Sequence, residues 1–274
     1  MFKRELKLNF KSFLIWTLIL IGLFLAVYLV YPYIMSSENV DMLNEMMKVF
    51  PPEILKAFNM DISEIDTAYG WLKTEGFVFV LLITGIFSGM LGSNIVLKEE
   101  SDKTIEYLHN LPITRTKIVT SKILCALTYI ISMILIIGVF NYVGLSISGD
   151  FNQKQYLLLS ISPLFTALVI FSICLFISTF THKTKKMIGI GLAIVVFSYV
   201  LQTLSQIADT VEFLKYFSLF TLSDVRGVIL NQNINLVNVG VSIALSILFV
   251  FISVTLNTPL VKVPVLSITT ALIL

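Results

Sequence analysis

Charge is scarce in this chain. Asp, Glu, Lys and Arg make up 13% of its 274 residues against 57% hydrophobic, and mean hydropathy is +0.92. A lone water-soluble domain is therefore excluded and the chain belongs in a membrane. The 19 basic and 17 acidic residues nearly cancel, which leaves no electrostatic footprint for nucleic acid. The two cysteines, Cys125 and Cys174, lie inside separate apolar runs. They supply neither a disulfide framework nor a CxxC metal or redox site, and read as small buried hydrophobes. His109 and His182 stand outside any HExxH or Cys/His cluster. No GxSxG, no GxxxxGK followed by Ser or Thr, and no paired carboxylates within an apolar run occur either. The reading is of a protein that is not an enzyme and needs no cofactor or metal of its own.

What the chain has is six uncharged stretches, at residues 13–35, 76–97, 123–147, 156–180, 187–207 and 236–256. A hydrocarbon core of about 30 Å takes about 20 helical residues to cross. Continuous rather than alternating apolar runs indicate helices, not barrel strands. The fold class expected is an all-α integral membrane protein, one transmembrane domain of six helices. If the amino terminus lies inside, 13 of the 19 basic residues fall on that side and 12 of the 17 acidic residues on the other. The positive-inside rule then places both termini in the cytoplasm. Proton pumps, ion-coupled carriers and voltage sensors carry ionisable groups within the bilayer, and these stretches carry none.

The connecting segments differ in kind. Phe2, Leu6, Phe10 and Phe13 form an apolar stripe beside Lys3, Arg4, Lys7 and Lys11. This suits an amphipathic interfacial helix or a basic tail that fixes topology. The outer segment 36–75 is long and acidic, with helical spacing of Leu43, Met46, Met47 and Phe50 before the Pro51–Pro52 break. It fits either a lid over a path or helices resting on the outer leaflet. A second outer segment covers 208–235. In the second stretch Gly85, Gly89 and Ser93 recur every fourth residue and admit a neighbouring helix backbone closely. The neighbour is either another helix of the chain or a second subunit. Pro163 is positioned to kink the fourth helix.

The inner loop between the second and third stretches is the most informative. Ser101 or Asp102 caps a short helix over 101–110, Ile105 and Leu108 give it an apolar face, and Pro112 forces the chain out of helix at Leu111. Arg115 and Lys117 sit at the positive end of the third helix, where the macrodipole opposes them. Phospholipid headgroups or an acidic partner would favour them there.

Glu99, Glu100, Thr104, Glu106 and Leu108, then Leu111-Pro112-Ile113-Thr114-Arg115 and Lys122, resemble the signature of the permease subunits of type-2 ABC exporters. In those chains a Gly-Thr-x-Glu-x-Leu helix is followed by a Leu-Pro-hydroxyl-Arg turn and a later Lys; here Asp102-Lys103 replaces the glycine. Pro52-Glu53-Ile54-Leu55-Lys56 matches the family's outer segment, and the likeness is nearest to bacitracin- and peptide-exporting permeases. The resemblance implies a plasma-membrane permease whose 101–110 helix couples to a separate ATP-binding subunit. Glu99, Glu100, Thr104, Ile105, Glu106, Leu108, Pro112 and Arg115 would make that contact. It further implies two permeases, alike or different, with two ATPases that bind ATP and Mg, exporting an amphipathic peptide, antibiotic or lipid. The apolar residues 259–274 depart from the basic tail of such permeases and are too short to span a bilayer. Two other classes fit the bare composition: a membrane sensor or assembly factor using the acidic outer segment, and an unassisted flippase or channel.

Overall fold

The computed structural model describes residues 1–34, 45, 49, 67–98, 115–181, 184–207 and 209–257. The helix expected over 101–110, nearly all of the outer segment from 36 to 66, and 259–274 lie outside the described residues. Six helices among the described residues are long and apolar enough to cross a membrane, and none of those residues is in a strand.

The first helix, α1 (Phe2–Ile34), has 33 residues, about 50 Å at 1.5 Å per residue. The interfacial helix expected ahead of the first span is not set off from it. No Gly or Pro precedes Gly22, so nothing breaks the helix where the basic start meets the apolar run. Helix α2 (Ala68–Asn94) begins eight residues before the expected 76. Thr67 caps it by accepting a hydrogen bond from the Gly70 amide at 3.0 Å. A π-turn over Leu72–Gly76 then brings Lys73 and Glu75 into the helix, with the Lys73 ammonium 5.0 Å from the centre of the Tyr69 ring. The long stem of a lysine lets its charge sit at a span's end, which a count of uncharged residues misses.

Helix α3 (Arg115–Ser148) likewise starts before its apolar window and stops at Gly149, whose φ of 148° suits only glycine. Helix α4 (Gln153–Ser178) is capped by Asn152. It is interrupted at Ser162, and Pro163 restarts it at a first-turn position where a missing N–H costs nothing. After α5 (Thr184–Ile207) come two 3₁₀ pieces, Asp209–Phe217 and Leu219–Ser223, then α6 (Val225–Asn231) and α7 (Leu236–Asn257).

Helix α2 is the most buried of the six and α7 the least. α2 packs on α4 and α5, α1 on α3, and α7 on α4. The seam of α2 is built from small residues. A Cβ on Gly92 would lie 2.4 Å from the Phe171 carbonyl oxygen, and one on Gly191 would lie 3.2 Å from the Gly89 carbonyl oxygen. Ser93 Oγ donates to the Met187 carbonyl at 3.1 Å. Such close approach supplies the dispersion contact that holds helices together in lipid, where no hydrophobic drive operates between them.

Candidate functional site

The segment between α2 and α3 has its two feet at the last turn of α2 and the first turns of α3. Lys122, seven residues into α3 and 3% exposed, donates from Nζ to the Ile95 carbonyl at 2.5 Å. That carbonyl belongs to a helix end whose acceptors lack intrahelical donors and carry partial negative charge. A buried ammonium there satisfies it and ties the feet together. The start of α1 joins the same cluster: Tyr129 donates its hydroxyl to the Leu6 carbonyl, and Asn9 donates to the Glu5 carbonyl at 3.0 Å. Glu5, 3% exposed, and Lys122 both lie near the Cys125 thiol. Lys3, Arg4, Lys7 and Lys11 remain exposed. Of the expected apolar stripe, Leu6 and Phe13 pack on the core, while Phe2 and Phe10 stay exposed.

Among the expected coupling residues, Glu99, Glu100, Thr104, Ile105, Glu106, Leu108 and Pro112 lie outside the described residues, and Arg115 opens α3. Gly85, Gly89 and Ser93 face α4 and α5 of the same chain, with Ile170, Val195, Cys174 and Gly191 as neighbours. The position of tightest approach on that seam is Gly92, which the every-fourth-residue pattern passes over. Glu5, Asn9 and Lys122 were not singled out as site residues either. The signal for Lys122 was its place in the family signature, and for Glu5 its standing as the sole acid among four bases.

The opposite end is polar in another way. The segment after α5 is stitched to the bundle: Ser218 Oγ donates to the Ser198 carbonyl at 2.7 Å, Thr166 and Ser223 share a hydrogen bond at 2.5 Å, and Gln155 Nε2 reaches the Ile229 carbonyl at 2.8 Å. Between this cap, α2 and α5 lies a cavity of about 510 Å³ whose lining includes Gln202, Gln206, Glu212, Lys215, Asp224 and Arg226. Lys215 Nζ and Glu212 Oε1 pair at 2.6 Å. That hydrogen bond holds the Glu212 carboxyl below its usual range and the Lys215 ammonium above its own. Asp224, at φ 43°, caps α6 by accepting from the Gly227 amide at 3.2 Å. Burial raises its pKa, and the amide partly offsets the rise. No group of three His, Cys, Asp or Glu that could hold a metal ion occurs among the described residues.

An all-α bundle of six helices long and apolar enough to cross a membrane is the architecture of a multi-pass membrane protein. Residues 2–253 match the ABC-2 family transporter proteins, and the chain belongs to that family. It is a membrane subunit of an ABC transporter, not the ATPase, and the family implies an ATP-binding ABC partner. Neither a curated protein nor a solved structure matches it.

Proposed function

We propose that this chain is the plasma-membrane permease of an ATP-driven exporter, coupled through the 101–110 helix to a separate ATP-binding subunit, with both termini cytoplasmic. The observation that carries the reading is the clamp at the base of the loop. Lys122 joins α3 to the end of α2, and Tyr129 joins α3 to the start of α1. A push on a loop so rooted reaches three helices at once, which is what a driven two-state bundle requires. The basic residues of that end favour the cytoplasmic side. Two permeases and two ATPases form the working unit. Because the small-residue face of α2 is filled by α4 and α5, a second permease meets another face. The apolar and hydroxyl-bearing interior suits an amphipathic peptide, antibiotic or lipid, the class that bacitracin- and peptide-exporting permeases handle.

Leu108→Asp and Glu106→Arg test the coupling. Losing a docked knob costs about 2 kcal/mol or more, a drop of at least roughly thirtyfold in affinity. The ATPase is expected to co-purify with the unmodified chain and be lost from both variants, with export abolished. Undiminished export in both variants refutes the reading.

A further inference from the structure

The cavity at the end of the bundle away from the amino terminus combines features that the export reading leaves unused. Lys215 and Arg226 bring positive charge to it, Glu212 and Asp224 negative charge, and Phe77 and Tyr199 stand among the apolar groups of its lining. Glu212 engages Lys215 through Oε1 and Asp224 caps a helix through Oδ1, so each carboxylate keeps a second oxygen for a cation. Arg226 is exposed. It acts on Glu212 through its charge and makes no hydrogen bond to another described residue. A planar guanidinium in that state is a natural partner for phosphate.

The depth of the cavity follows from its neighbours. The 3₁₀ piece that supplies Glu212 and Lys215 also exposes Phe213, Tyr216 and Phe217, at 56%, 79% and 70%. Exposed aromatics next to the ends of membrane spans sit at headgroup level. Beside the lining residues Tyr199 and Thr203, an exposed apolar stripe of Val196 and Val200 continues along α5. We propose that the cavity holds the zwitterionic headgroup of a phospholipid, with phosphate on Arg226, ammonium on Glu212 and Asp224, and acyl chains along the α5 stripe. The balance of charge selects this class. A purely anionic headgroup would meet Glu212 and Asp224, and a soluble zwitterion would leave the stripe uncovered.

The test uses the full chain in nanodiscs containing phosphatidylethanolamine and phosphatidylglycerol, with a photoactivatable diazirine placed in one acyl chain of either lipid. Both faces of a nanodisc are accessible and no ATPase is present. Lipid capture is thus read independently of orientation and coupling, and its failure would leave the exporter reading standing. The phosphatidylethanolamine probe is expected to label peptides within 196–231 more strongly than the phosphatidylglycerol probe. Arg226→Gln and Glu212→Gln should each lower that labelling roughly two- to fivefold, the range for one exposed ionic contact. Equal labelling by the two lipids overturns the proposal even if no variant folds. So does unchanged labelling in both variants, and so does loss of labelling to millimolar soluble phosphoethanolamine, which would assign the cavity to a free phosphoamine.

Discussion

Gly92→Ala is the sharpest single test of how this bundle is held. The added methyl would lie 2.4 Å from the Phe171 carbonyl oxygen, 3.0 Å from Cys174 Cβ and 3.1 Å from the Leu175 amide nitrogen. A relaxed carbon–oxygen contact is about 3.3–3.6 Å, so α2 and α4 must part by about 1 Å at that level. Two of the three obstacles are backbone, and neither can rotate away. A gap of about 0.5–1 Å forfeits a quarter to a half of each dispersion well, at about 0.1–0.2 kcal/mol per atom pair. Over the few dozen pairs of the seam this amounts to about 1–4 kcal/mol, which overlaps the usual range of about 1–3 kcal/mol for overpacking a tight core. Gly189→Ala is the matched control, because a methyl there meets nothing within 4 Å and alanine is the better helix former. Unfolding of the two variants by SDS titration from detergent micelles, read by helical circular dichroism, should separate them by that amount, with Gly92→Ala the weaker. Coincident curves would mean that α2 and α4 do not meet at Gly92, and the packing argument would fail.

Two further outcomes follow from hydrogen bonds at the two ends. Lys122→Met keeps the apolar stem but leaves the Ile95 carbonyl without its donor, so stability should drop by about 1.5–3 kcal/mol and protease access to the inner loop should rise; an unchanged SDS midpoint would refute the clamp. Asp224→Ala removes the cap of α6 and places a Cβ-bearing residue without a local acceptor at φ 43°, a loss of about 1–2 kcal/mol. Asp224→Gly, which keeps the conformational freedom, should lose less, as measured by amide exchange over 225–231.

The places where reading the residues fell short share a cause. Runs free of charge located all six spans, but the helices extend beyond them at Lys73, Glu75 and Arg115, because a helix does not stop where its side chains become charged. The Gly85, Gly89 and Ser93 pattern pointed to a close-packed face without telling which helix fills it. Pro163 marked an interruption correctly, since the missing amide acts locally. The segment after α5 is organised by hydroxyls, Ser218, Thr166 and Ser223, whose partners lie 20 and 57 positions away, and nothing in its own spacing announces them.

The number of long apolar helices and their approximate places along the chain were determined by sequence alone, because crossing lipid demands a contiguous run and each run satisfies its own backbone. Which side of each helix is inside was decided only in three dimensions. In water an amphipathic pattern separates the buried face from the exposed one, but in lipid both faces are apolar and that contrast disappears. Lys122 meeting Ile95 across 27 positions, Gly92 lying under Phe171, and four charges gathering around one cavity are consequences of how the helices cross.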